Sequence, residues 1–334
     1  MLSSSTIKNA SQASHYFSEK DNYYTQDEGF SHSEWWGKGS SDMQLSGQVD
    51  DQHFTQLLTG RLPNGEQLGK MVEGTIKHRA GWDLTMSAPK SVSIMALVAG
   101  DQRLISAHRE AVRLTLDKIQ QGCSQARVKV NGEMRYENTH HLTGALYHHD
   151  LSRAKDPQLH THSVIMNMTT RADGKWRSLA SSMGKYNEQT TTEVNGFIER
   201  VRHHNRYYSK LYETELAFRV KACGYELRHD SKSGIFEIAD VPAALVEQFS
   251  KRRQEIEAMM ETKGFSGGKA AAVAALSTRD NKVKVDREAL KQAWQEEVSS
   301  LGVDLNQIKE TSLLRQSLQG QIDQEINVSA SAKA

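Results

Sequence analysis

His149, His160 and His162 stand in an H-x10-H-x-H arrangement, and the last pair lies inside Leu159 to Thr169, a run that reads as a strand. Side chains alternate faces along a strand, so residues two apart point the same way. His160 and His162 therefore project side by side, and a neighbouring strand carrying His149 closes a three-nitrogen metal site. Three protein ligands leave coordination positions open for a substrate oxygen, which is the design of a catalytic centre rather than a structural one.

Two further groups have chemistry to offer. Tyr16, Tyr23 and Tyr24 fall in a stretch rich in Ser, Asp, Asn and Lys. A phenol can hold a covalent acyl or phosphoryl intermediate. With a pKa near 10 it needs a base or a metal close by before it attacks. Asp83 interrupts the apolar alternation Trp82-Asp83-Leu84-Thr85-Met86, and an acidic residue in a core strand is costly unless paired. It faces solvent from an edge strand, or it orients a metal-bound imidazole through its second nitrogen, or it accepts the phenol proton as a general base.

The elements that must position these groups follow from periodicity. Ser5 to Phe17 has apolar residues at helical spacing, Ser18 to Ser41 is polar and turn-rich, and Gly81 to Ser87 alternates as a strand. Ser87 and Pro89 open a helix to about Val98; Asp101 to Gln121 is a second helix, stopped by Gly122. Arg127 to Glu137 is a hairpin turning at Asn131-Gly132. His140 to Tyr147 and Leu159 to Thr169 are strands, the second turning at Asp173-Gly174 into Lys175 to Leu179. Helices are expected over roughly 194–223, 241–263, 269–277 and 286–301, with a small hairpin between Tyr225 and Ile238. The fold class is α+β: an antiparallel β-sheet palm flanked by helices, with a helical C-terminal lobe. The division expected is a catalytic lobe over 1–190, a helical lobe over 191–326 and a disordered tail over 327–334.

Bulk properties exclude several classes. The 334 residues are 37% hydrophobic and 25% charged, ordinary for a globular protein. There is no run of about eighteen apolar residues and no basic segment followed by an apolar one, so neither a membrane span nor a signal peptide is expected. Cys123 and Cys223 lack CxxC spacing and read as incidental thiols of a reducing cytoplasm. No GxxxxGK[ST] or GxGxxG pattern is present, which argues against nucleotide hydrolysis. A formal charge of +1 means that any nucleic acid must be held by local cationic contacts.

Four motifs recur in a specific order: Tyr16-Phe17-x5-Tyr23-Tyr24; Glu34-Trp35-Trp36-Gly37-Lys38-Gly39; Asp83-Leu84-Thr85-x-Ser87-Ala88-Pro89-Lys90-Ser91-Val92-Ser93; and His149-Asp150-x-Ser152-Arg153-x3-Pro157-Gln158-Leu159-His160-Thr161-His162. In these the chain resembles the relaxase domain of conjugative plasmids of the TrwC/TraI (MobF) class, within the wider HUH endonucleases. The likeness continues more weakly at Gly224-Tyr225-Glu226 and Val285-Asp286-Arg287-Glu288.

The resemblance implies an enzyme that nicks one strand at a plasmid's transfer origin, keeps the 5′ phosphate on a tyrosine and later rejoins the strand. Tyr16 would be the first nucleophile, Tyr23 or Tyr24 would serve a second transfer, and Asp83 matches the family's acidic partner. The choice of His149 over His148 rests on the Asp150-x-Ser152-Arg153 that follows it. Many members carry two adjacent tyrosines at the first position; Phe17 has no hydroxyl and cannot attack. One divalent metal is implied, Mg or Mn in use, with Zn, Co or Ni compatible with three imidazoles.

Single-stranded DNA, with a hairpin beside the nick, would be held by cationic contacts and stacking. Trp35, Trp36, Lys38, Arg153, Arg202 and Arg206 supply those residue types. Relaxosome accessory proteins, a secretion coupling protein and a cytoplasmic setting, with passage to the recipient alongside the strand, are implied too. Members usually continue into a helicase, whose nucleotide-binding signatures this chain lacks; an N-terminal domain is expected. A phosphoesterase using water explains the histidines and leaves the tyrosines idle, and a non-catalytic single-strand-binding module needs no metal.

Overall fold

The computed structural model describes residues 1–7, 10, 13, 33–182, 194–229, 234–262, 264 and 286–331, with side chains described as far as 322. Tyr16, Phe17, Tyr23, Tyr24 and the helix expected over 269–277 lie outside the described residues.

A five-stranded sheet organises the molecule, in the order β1-β5-β9-β8-β2. Its strands are β1 (Leu2–Ile7), β2 (Ser33–Trp36), β5 (Gly81–Ser87), β8 (Gly144–Leu151) and β9 (Pro157–Met166). β1 and β9 flank β5 antiparallel, and β2 pairs antiparallel with β8. Five residues, 152–156, join β8 to β9, a turn that only an antiparallel pair allows.

Alternation decides what each face does. On β5, Trp82, Leu84 and Met86 are fully buried on one face, while Asp83, Thr85 and Ser87 look the other way. Burial of each of these large apolar side chains stabilises by about 1.5–3 kcal/mol. The Asp83 face continues through Val164 and Met166 of β9 and Ala145 and Tyr147 of β8. It is covered at that end by Phe54, Leu57 and Leu58 of helix α2 (Asp51–Leu58). Phe54 meets Tyr147 edge-on with ring centroids 5.3 Å apart. The other face receives helix α4 (Gln102–Cys123), tied to β2 by Trp36 Nε1 donating to Asp117 Oδ1 at 3.2 Å.

The chain divides into two compact units: residues 1–87, 109–149 and 160–212, and residues 88–108, 150–159 and 213–334. The first holds the sheet and three two-stranded ribbons: β3 (Lys70–Val72) with β4 (Thr75–Lys77), β6 (Gln125–Val130) with β7 (Glu133–Asn138), and β10 (Thr169–Thr170) with β11 (Trp176–Arg177). The β6–β7 turn places Asn131 and Gly132 at φ of 50° and 88°, the paired positive values of a type I′ hairpin. Short helix α1 (Lys38–Asp42), helix α5 (Phe197–His203) and helix α6 (Asn205–Ala222) as far as Tyr212 also belong to it.

The second unit contains α3 (Lys90–Leu97), the β12 (Leu227–His229) and β13 (Phe236–Ile238) ribbon, and helices α7 (Ala243–Gln248), α8 (Lys251–Thr262), α9 (Arg287–Ser300) and α10 (Leu305–Ser331). Its polar interior is organised by two arginines. Arg103 pairs with Asp101 and donates to the Cys223 carbonyl, Gln316 and Ser312, while the Tyr225 hydroxyl donates to Asp101 at 2.7 Å. Gly224 sits at φ 85°, and a Cβ there would come within 1.9 Å of the Ser312 carbonyl, so only glycine lets α10 approach. Arg287 grips Asp150 in a bidentate pair at 2.7 and 3.1 Å. Burial pushes that carboxyl up to about 6 in spite of the guanidinium.

The structure differs from the sequence reading at several places. Ser5, Thr6 and Ile7 belong to a strand rather than a helix, because their ladder with β5 buries Leu2 and Ile7 and overrides helical spacing; Ala10 and Ala13 are helical. Gly122 lies inside α4, which runs one residue further to Cys123. The tail expected to be disordered from residue 327 is helical through Ser331. Among the described residues no helix is long and apolar enough to cross a membrane.

Candidate metal centre

β5 and β9 present one continuous polar edge on the Asp83 face. Thr85 stands opposite His162 and Ser87 opposite His160, and opposed residues share a face. His160 and His162 are two apart, so both imidazoles leave β9 on that side. His149 of β8 completes the set, in line with Tyr147 and Ala145. One ligating nitrogen from each of the three lies within 4.8 Å of the others. The rings meet edge to face, with centroids 4.9–5.2 Å apart.

Asp83 decides how His162 is used. Its Oδ2 lies 2.8 Å from His162 Nδ1, and its Oδ1 accepts from the Thr85 hydroxyl at 3.2 Å. With Nδ1 engaged, Nε2 is the nitrogen available to a metal, and the carboxylate sets both the tautomer and the tilt of the ring. Three imidazoles, one oriented by a carboxylate, fit a divalent ion with coordination positions left for a phosphate oxygen.

His148 faces the opposite side of the sheet. Its Nδ1 contacts the Thr161 hydroxyl at 2.9 Å, and its Nε2 lies 3.3 Å from Glu34 Oε1. Burial, the largest influence, pushes the imidazole below its ordinary pKa. Burial alone would raise the Glu34 carboxyl, but hydrogen bonds and charge from His148 and from Arg113 outweigh it and hold the group at about 2.

The remaining expected residues are scattered. Trp35 and Trp36 are only 8% and 9% exposed. Trp35 joins the cluster around Phe54, and Trp36 packs on the α4 side through its bond to Asp117. Lys38 is exposed beside them, as are Arg202 and Arg206 of the first unit and Arg153 of the second.

One cationic feature was missed. A cavity of about 640 Å³ in the first unit is lined by Lys70, Lys77, His78, Arg79, Arg127 and Arg177, with no acidic residue in its wall among the described residues. Neither ring nitrogen of His78 has a hydrogen-bond partner, and burial lowers its pKa to about 4. The cations come from three separate stretches of chain, so no local run announced them. The alternation Lys70-Met71-Val72-Glu73-Gly74-Thr75-Ile76-Lys77, turning at Glu73-Gly74, was the available signal for the ribbon that carries two of them.

A family model described as TrwC relaxase matches residues 10–301. The chain belongs to the TrwC relaxase family. "Multifunctional conjugation protein TraI" of Escherichia coli is 41% identical over 314 residues, which are 93% of this chain and 17% of that protein. The chain thus spans about a sixth of the length of that relative. Conjugative relaxase TrwC in complex with oriT DNA, in a metal-bound structure, superposes with a TM-score of 0.78 at 36% identity, covering 91% of this chain and all of the other. TrwC complexed with a 27-mer DNA comprising the recognition hairpin and the cleavage site gives 0.76 at 35%, with the same coverage.

Proposed function

We propose that this chain nicks and rejoins one DNA strand at a plasmid transfer origin by transesterification, with Tyr16 attacking a phosphodiester to form a 5′-phosphotyrosyl intermediate. The observation that carries the reading is the convergence of His149, His160 and His162 within 4.8 Å, one of them held by Asp83, in a chain of this family.

His149, His160 and His162 would hold a divalent ion, Mg or Mn in use and Zn, Co or Ni also suited to nitrogen donors, which would supply a Lewis acid to offset phosphate charge. The chain's own residues do the rest. Asp83 fixes the His162 ring, and Thr85 fixes Asp83. Tyr16 supplies the attacking oxygen, and Tyr23 or Tyr24 serves the second transfer. The phosphoester energy is conserved in the tyrosyl linkage, so rejoining by a 3′-hydroxyl requires no nucleotide hydrolysis.

Lys38, Arg153, Arg202 and Arg206 contact the single strand. The exposed β3–β4 ribbon and the cationic cavity at its foot support contact with a hairpin beside the nick, since a two-stranded ribbon fits a major groove. The reading includes a cytoplasmic protein working with relaxosome accessory proteins and a coupling protein.

The experiment is an adduct assay in Mn buffer with 3′-labelled single-stranded oligonucleotides. Label shifted to protein size, abolished by EDTA and by Tyr16→Phe, is the expected result. Released fragments without an adduct would replace transesterification by water-driven hydrolysis, and metal-independent binding without cleavage would leave a binding module.

A further inference from the structure

The histidine face of the sheet has a counterpart on its back. Thr161 lies between His160 and His162 on β9 and is fully buried on the opposite face, opposite Met86. His148 precedes His149 on β8 and likewise faces away from the metal ligands. The two meet through His148 Nδ1 and Thr161 Oγ1 at 2.9 Å. The next contact outward is from His148 Nε2 to Glu34 of β2 at 3.3 Å, and Glu34 is in turn held by Arg113 of α4 through Nε at 3.1 Å and through Nη2. Arg109, one helical turn before Arg113, adds positive charge near the imidazole.

A carboxylate facing Nε2 calls for a proton there, which leaves Nδ1 to accept from the Thr161 hydroxyl. Arg113 then donates to Glu34 and Thr161 to His148, while His148 Nε2 faces the Glu34 carboxylate at 3.3 Å in a polar contact. The four groups sit on four different elements: α4, β2, β8 and β9.

We propose that His148 and Thr161 are positioning residues for the metal centre, holding β8 and β9 in the register that sets His149 against His160 and His162. A slip of one residue in a strand pair turns every side chain to the other face. Here it would exchange His148 for His149 at the ligand position. Packing of Ala145 and Tyr147 against the Phe54 cluster opposes such a slip along the strand, and the buried hydroxyl–imidazole bond on the back adds to it at the ligand position itself. The inference rests on the reading of the three front histidines as a metal centre, but neither DNA nor cleavage is needed to test it.

The test is Mn titration calorimetry on this chain carrying Thr161→Val, Thr161→Ser, His148→Gln or Glu34→Gln, with Thr169→Val as a control for loss of a buried hydroxyl in another ribbon. Outer partners of metal ligands are worth about 10–100-fold in metal affinity. Thr161→Val should lose at least about tenfold, Thr161→Ser should restore most of it, and Thr169→Val should match the unmodified chain. Equal affinity of Thr161→Val and the unmodified chain overturns the proposal, as does an equal loss in Thr169→Val or a failure of Thr161→Ser to rescue. Should Thr161→Val not fold, Glu34→Gln decides in the same way. An unmodified chain that takes up no Mn overturns the metal reading itself, an outcome separate from all of these.

Discussion

Asp83 and His162 face each other across the β5–β9 ladder with a carboxylate oxygen 2.8 Å from Nδ1, although 79 residues separate them in the chain. The pairing that brings them together is Thr85 with His162, which sets Asp83 two residues along the same face. The aspartate thereby acts on a ligand rather than as one, since among the described residues the group gathered within ligating distance is the three imidazoles.

Asp83→Asn keeps the shape and removes the charge. Mn affinity should fall about 10–100-fold, with the melting temperature little changed. Calorimetry beside a thermal melt checks it; unchanged affinity would release His162 from control by Asp83.

His160→Ala and His162→Ala should each abolish measurable Mn uptake and adduct formation while leaving the affinity for single-stranded oligonucleotide in EDTA within about twofold, because backbone contacts dominate that affinity. Fluorescence anisotropy against titration calorimetry separates the two.

Tyr225→Phe removes the hydroxyl that donates to Asp101 beside Arg103. A hydrogen bond to a charged group contributes about 1.5–3 kcal/mol. Urea unfolding should show a loss of that order with an unchanged m-value. A loss below about 0.5 kcal/mol would show that Arg103 alone satisfies the carboxylate.

Lys90 gives a pH signature. Burial, its largest influence, lowers the amine to about 8, although Asp156 and Glu237 favour the charged form. The folded value lies below the ordinary 10.5, so the unfolded chain binds the proton more tightly. Stability attributable to this group therefore rises as pH climbs from about 8 to about 10.5 and is flat below that window, with a span of at most about 3 kcal/mol. Lys90→Met should flatten that slope relative to the unmodified chain in denaturant titrations run across the window; parallel pH curves would refute the assignment.

The sequence made the front of the site legible because its information is local. The H-x-H pair on a strand, the lone acid in GWDLTMS and the Asn131-Gly132 turn each depend on alternation or on positive φ within a few residues. The choice between His148 and His149 depended on motif order alone, because the Thr161 contact that separates them arises only when β8 and β9 pair. The burial of Trp35 and Trp36 was not legible, since β2 is four residues long and its polar neighbours hide it. β1 was misread because the run Ser3-Ser4-Ser5-Thr6 has no pattern of its own and takes its conformation from β5. α10 was missed because Leu314, Leu318 and Ile322, at four-residue spacing, are largely exposed and the polar positions around them blur an apolar face.

The β8–β9 hairpin carries all three imidazoles, with ten residues between the first and the second. Closing so short a loop costs little entropy, and hairpins form within microseconds. The ligand set can therefore gather at the start of folding, before the distant carboxylate arrives. Ion capture and ion tuning become separable events in time, the first governed by one local turn and the second by the long-range docking of β5.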